Sequence, residues 1–276
     1  MGLTLKFIPK DKKTTAQSYK MDVVGITLFS SFITCWMVFL LGLEKGVQIG
    51  TLMMAILLTI GFYMYEKRRD EPFINVNFFR KNLNVALIFG QYILSTVIFF
   101  SLLLSFPTLL QGTLGGSSQK AGIVMLSLSI FSMIMTPIAI RWAEQKGFRA
   151  PLLTSALLGL AGVILIFTVQ GDSSFVWIGI VLATTGISNG IQIISLQNLM
   201  YTFIKTSESG IAAGLMITSR FIGNILASSI YGVAFATGVN IGNMHTMALV
   251  LVVVAVVIVP GMLYVTKVET ASRLRG

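Results

Sequence analysis

SGIAAGLMITSRFIGNILASSIY, residues Ser209 to Tyr231, places one arginine in a run otherwise free of charge. A helix rises about 1.5 Å per residue, so an Arg220 ten residues from the start of the run lies roughly 15 Å in, near the middle of a hydrocarbon layer about 30 Å thick. A charge at that depth is costly and therefore marks a pairing or functional position. On a helix, Ala213, Ile217, Arg220, Asn224, Ala227 and Tyr231 share one stripe, with Ser219 and Gly223 beside it. Gly210, Gly214 and Gly223 supply small-residue positions where a second backbone could approach closely. The stretch reads as a membrane helix with a polar face.

The rest of the 276-residue chain follows the same pattern. Its charged fraction is 11% and its hydrophobic fraction 55%, where soluble domains carry about 25% charge, so the chain is read as an all-α integral membrane protein. Eight runs are long enough to span: Met21–Leu43, Val47–Tyr65, Leu83–Ser105, Ala121–Ile140, Pro151–Val169, Phe175–Gln197, Gly210–Ala236 and Thr246–Val265. They are too long and too continuously apolar for barrel strands, and helices are the remaining way to satisfy a backbone in lipid.

A net charge of +10 would fit a nucleic-acid surface, but the Lys and Arg residues cluster in short loops between the apolar runs. Seventeen lie on one side of the eight spans and only Lys45 and Lys120 on the other, which predicts both termini in the cytoplasm and no nucleic-acid partner. The loops also divide the chain. The expected organisation is a tail over 1–20, a hairpin over 21–65, a cytoplasmic linker over 66–82, a six-helix bundle over 83–265 and a tail over 266–276. The linker EKRRDEPFINVNFFRKN carries Pro72 and paired Phe78 and Phe79, which suits a segment lying at the membrane surface.

The sixth span is the second polar helix. Thr185, Ser188, Asn189, Gln192 and Ser195 fall within about 120° of one another, and Gly186 and Gly190 form a small face alongside. Such a stripe either bonds to neighbouring helices or lines a solute cavity. Gln91 and Tyr92 are polar positions in the third span, and Ser127, Ser129 and Ser132 in the fourth. Pro137 and Pro260 each remove a backbone bond within a span.

No enzyme constellation is present. His245 is the only imidazole and Cys35 the only thiol, so neither a Ser–His–acid set nor a Cys/His metal cluster can be assembled, and no cofactor is expected. All ten acidic residues lie in tails, loops or span ends. Proton relays across membranes ordinarily use an intramembrane carboxylate or His, so a coupling acid would have to come from outside this chain.

Four segments resemble, in the same order, the fourteen-span drug:proton antiporters of the major facilitator superfamily. MDVVGITL from Met21 resembles that family's Asp-x-x-Gly start of a central helix pair. The linker Glu66–Asn82 resembles the segment that follows the pair. LLQGTLGGSSQKAGIVMLSLS and SESGIAAGLMITSRFIGNILASSI are similar to the family's inter-span Gly/Ser run and penultimate helix. The loop IRWAEQKGFR keeps Glu144, Gly147 and Arg149 of the family's gating signature, but Ile140, Gln145 and Phe148 replace expected Gly and Arg residues. The same loop could equally be a basic topology signal.

The resemblance implies a C-terminal transporter half whose missing N-terminal half would supply six further spans and the coupling acids. It implies efflux of amphipathic or hydrophobic small molecules through the plasma membrane, driven by a proton gradient. Transport of a metabolite or anionic solute, or a non-transporting subunit or truncated remnant, are the alternatives. The expected cavity residues are Gln91, Thr185, Ser188, Asn189, Gln192, Ser195, Arg220, Asn224 and Tyr231.

Overall fold

The computed structural model describes residues 22–43, 46–68, 83–204 and 209–273. The expected N-terminal tail, most of the linker (69–82), the tip of the first hairpin and the last three residues lie outside them. Eight α-helices make up the described chain: α1 Val23–Gly42, α2 Ile49–Lys67, α3 Leu83–Gly112, α4 Ser118–Lys146, α5 Arg149–Leu165, α6 Phe175–Phe203, α7 Ser209–Ala234 and α8 Ile241–Arg273. No strand occurs among the described residues. Seven of the helices are long and apolar enough to cross a bilayer, and α1 carries a shorter apolar stretch, Val24–Leu40.

Helix starts are set by short polar side chains that accept from otherwise orphan backbone N–H groups. Asp22 accepts from Gly25 N at 2.9 Å at the start of α1, and Ser174 from Trp177 N at 3.2 Å at the start of α6. Asn240 accepts from Asn243 N at 2.8 Å ahead of α8. The end of α4 is set by Gly147, whose φ of 78° suits only glycine and whose N–H bonds back to Ala143.

Several helices overrun the apolar runs that predicted them. α3 continues through Pro107 to Gly112, α6 continues to Phe203, and α4 covers Ser118–Lys146 where Ala121–Ile140 was expected. Hydropathy registers only the hydrocarbon thickness, whereas backbone bonding continues into the headgroup zone. Thirty residues of helix span about 45 Å against a core of about 30 Å.

In lipid, helices associate through close packing and hydrogen bonds rather than through hydrophobic contrast, and the small residues show where this happens. A Cβ on Gly186 would overlap the backbone carbonyl of Leu128, and one on Gly190 that of Ser132, so α6 lies backbone-to-backbone on α4. Gly223 brings α7 onto α3, where a Cβ would lie 2.7 Å from Thr96 Cβ and 2.9 Å from the Ile93 carbonyl oxygen. Gly159 and Gly162 of α5 make room for Ser188 and Thr185 of α6, and Gly261 of α8 for Gln91 of α3. By contrast Gly210 and Gly214 have nothing within 4 Å, so the close approach expected there is not made among the described residues.

The core therefore sits among α3, α5, α6 and α8, with Leu102, Phe106, Leu182, Leu196, Met247 and Leu251 fully buried. The hairpin α1–α2 is held by Phe29, Phe32 and Phe62, whose ring centroids are 5.1 to 5.7 Å apart. Trp36 Nε1 donates to Thr59 Oγ1 at 2.9 Å across the same hairpin. α1 then packs against α7.

One interhelical bond gives an early test. Ser188 Oγ donates to the Ser155 carbonyl at 2.7 Å in the fully buried α5–α6 contact. Bonds of this kind are worth about 0.6 kcal/mol on average in membrane bundles and up to ~1.7. Ser188→Ala is expected to lower detergent-phase unfolding stability by about that amount and leave the fold intact, measured by thermal unfolding of the purified chain.

Candidate functional site

The α6 stripe separates into two sets on folding, because its members point at different neighbours. Thr185 and Ser188 face α5 and, with Ser95, Asn189 and Gln192, border a narrow pocket of about 10 Å³. That is near the lower limit for holding one water and far too small for a solute. Asn189 also faces α4, where its Nδ2 donates to Ser132 Oγ at 2.9 Å.

Asn189 thereby reaches a second, much larger space of about 390 Å³ between α3, α4, α6 and α7. On α3 its wall is Thr96, Phe99 and Phe100; on α4, Ser132 and Thr136; on α6, Gly190, Ile193 and Ile194 beside Asn189. Arg220 and Asn224, one turn apart on α7, complete it. A volume of this size lies at the lower end of the range of about 300–1,000 Å³ found for drug-sized ligand sites. Its lining combines aromatic and aliphatic walls with a few convergent polar groups, the usual composition of a small-molecule site.

Arg220 is the only ionisable side chain among those lining residues. Its Nη2 and Nε donate to the Tyr92 hydroxyl oxygen at 2.7 and 3.3 Å, and its guanidinium carbon lies 5.9 Å from the Tyr92 ring centroid. Tyr92 is 2% exposed and so a fixed post, whereas Arg220 is exposed and lines the cavity. The sequence marks this arginine as a pairing or functional position and places every acid in tails, loops or span ends. A phenol hydroxyl fills the role because its oxygen can accept while the ring backs the cation. The spacing Tyr92, Thr96, Phe99 is i, i+4, i+7, one face of α3. That periodicity was the available signal for this wall, although nothing in the sequence pairs it with α7.

The other candidates are dispersed. Gln91 is buried against Gly261, and Ser195 is 1% exposed in the core. Tyr231 donates to Thr108 Oγ1 at 3.3 Å and packs on Phe235, with ring centroids 5.0 Å apart, so it ties α7 to α3 away from the cavity. Of the nine expected cavity residues, Asn189, Arg220 and Asn224 meet on the larger space. In the α4–α5 turn, Gly147 is buried while Glu144 and Arg149 are exposed. His245 donates from Nε2 to the Val169 carbonyl at 3.0 Å and its ring lies tilted 5.5 Å from that of Phe167, which joins the start of α8 to the segment that follows α5. No group of three or more His, Cys, Asp or Glu that could hold a metal occurs among the described residues.

A multi-pass helical bundle holding a partly open, mostly apolar space with a few polar groups at mid-helix depth has the form of a membrane transport protein. The Major Facilitator Superfamily model matches residues 23–228, and the chain belongs to that superfamily. It is 29% identical over 255 residues to the uncharacterized MFS-type transporter YwoD of Bacillus subtilis (strain 168), covering 91% of this chain and 56% of that protein. It is 23% identical over 244 residues to multidrug resistance protein 3 of the same organism, covering 84% of this chain and 46% of the relative. It is 22% identical over 253 residues to the quinolone resistance protein NorB of Staphylococcus aureus (strain MSSA476), covering 89% of this chain and 54% of the relative. The chain thus spans about half the length of the curated relatives it matches.

Proposed function

We propose that this chain acts as the C-terminal half of a multidrug efflux transporter of the plasma membrane, working by proton antiport once joined to an N-terminal six-helix half. The observation that carries the reading is the cavity of about 390 Å³ bounded by α3, α4, α6 and α7, with Arg220 and Asn224 on one wall and Asn189 on another. The resemblance to the fourteen-span antiporters and the drug-resistance names of two relatives support the cargo class. In this reading α1–α2 is the central pair, the bundle from α3 onwards is the transporter half, and both termini are cytoplasmic.

Coupling must then be shared between halves. The acids among the described residues, Asp22, Glu66, Glu144, Asp172 and Glu269, lie in loops or within a turn or two of helix ends. A carboxylate on the partner half would supply the titrating group.

The test is proteoliposomes with an imposed proton gradient, loaded with ethidium or with a carboxylated fluorescein. This chain alone is expected to export neither dye above leak, and addition of a six-span N-terminal half of the same superfamily to restore gradient-dependent export of at least one. Gradient-driven export by this chain alone would refute the shared-coupling part, and no export in either arrangement would refute the transporter reading. A second reading, transport of an anionic solute, is favoured by the single cation in the cavity and leads to the inference that follows.

A further inference from the structure

We propose that the larger cavity selects aromatic solutes bearing a carboxylate-type anionic group, with Arg220 as the counter-ion and the Phe99–Phe100 wall receiving the ring; the assignment rests on the transporter reading. The guanidinium has five N–H donors in a fixed fork. Tyr92 Oη engages Nε and one Nη2 hydrogen from one side, at 3.3 and 2.7 Å. The end-on edge, made of the second Nη2 hydrogen and Nη1, remains for another acceptor, and Arg220 is an exposed residue that lines the cavity. That edge matches the spacing of two carboxylate oxygens.

The charge balance makes the same choice. Tyr92 is a neutral acceptor, so it positions the cation without cancelling it. Among the described residues no Asp or Glu lines the cavity, whose remaining polar groups are the neutral side chains of Asn189, Asn224, Ser132, Thr96 and Thr136. A cationic solute would meet Arg220 with no carboxylate to offset the repulsion, while an anion would supply the missing countercharge in a site of reduced dielectric. Asn224, one helical turn from Arg220 and lining the same space, adds an amide donor on that side. Phe99 and Phe100 supply apolar surface for a ring system.

Three probes of one shape separate charge from shape: 2-naphthoate, 2-naphthalenemethanol and 2-naphthylmethylammonium. Their binding to the full purified chain in phosphatidylcholine nanodiscs is read by equilibrium dialysis. The naphthoate is expected to bind at least about tenfold more tightly than the alcohol, equivalent to ~1.4 kcal/mol, with the ammonium weakest. Arg220→Gln should bring naphthoate binding down to that of the alcohol measured in the same variant, and Arg220→Lys, which keeps charge but not the fork, should retain part of the advantage. The advantage should also shrink as salt is raised.

Equal binding of the three probes, a preference for the ammonium, or an Arg220→Gln variant that keeps the naphthoate advantage would each overturn the anion assignment while leaving the transporter reading standing. Binding of none of the probes would overturn both. An anionic lipid headgroup could present the same chemistry from the bilayer. If nanodiscs containing phosphatidylglycerol lose naphthoate binding, the anion at Arg220 is lipid and the solute assignment falls; retained binding in both discs supports it.

Discussion

The double variant Gly186→Ala, Gly190→Ala is expected to separate α4 from α6 and to leave little folded protein. Each added Cβ would overlap a backbone carbonyl of α4, that of Leu128 or of Ser132. A flexible side chain could swing aside, but a helical carbonyl cannot move without giving up its own backbone bond. Overpacking of this kind costs about 1–3 kcal/mol per site and more where nothing can relax. The two sites lie one turn apart on the same contact, so their effects reinforce each other. The Asn189 to Ser132 bond crosses the same interface and would be lost with it, removing part of the cavity wall.

Gly214→Ala is the internal control. It has open space at the Cβ position, and replacing a mid-helix glycine by alanine is worth up to about 1 kcal/mol in helix propensity. The two substitutions are thus chemically identical with opposite expected signs. Size-exclusion profiles and thermal unfolding of the detergent-solubilised variants decide the matter. A Gly186→Ala variant as stable as Gly214→Ala would mean that α4 and α6 are not in backbone contact.

The contrast between these glycines marks how far a sequence can be read. Gly186, Gly190, Gly210, Gly214 and Gly223 all present small faces at helical spacing, and nothing local distinguishes those that meet a neighbour from those that do not. Which glycine is covered depends on how α7 and α6 rotate against α3 and α4, a property of the assembled bundle. Helix number and type were legible because an apolar run of about 20 residues has few other structures available in lipid. Helix ends were less so, as α3 running through Pro107 to Gly112 shows, because bonding continues where apolarity stops. At the site, Arg220 and Asn224 were visible as a charge and an amide on one stripe. Its partner Tyr92 looked like any tyrosine in an apolar helix, since a bond between α3 and α7 across 128 residues leaves no local trace.

Arg220→Leu is expected to remove selective binding of carboxylate-bearing solutes, and transport of them by the joined halves, with little change in the stability of the bundle. Two terms compete. Losing the bonds to the Tyr92 hydroxyl costs about 0.6–1.7 kcal/mol, as for other polar contacts between membrane helices. Removing a charge from the middle of a span gains about 2.5–3.5 kcal/mol on the insertion scale, less where that charge faces a polar cavity as Arg220 does. At half its full value, about 1.2–1.8 kcal/mol, the second term is about as large as the first, so the melting temperature should change little while anion binding falls tenfold or more. A drop in melting temperature comparable to that of Gly186→Ala would instead make Arg220 a structural tie between α7 and α3. Adding Tyr92→Phe to both backgrounds closes a cycle that isolates the pair. The coupling should appear in anion affinity as well as in stability, because Tyr92 holds the guanidinium that a carboxylate would meet. If the coupling appears in stability alone, the arginine serves the bundle and the cavity selects its solute by other means.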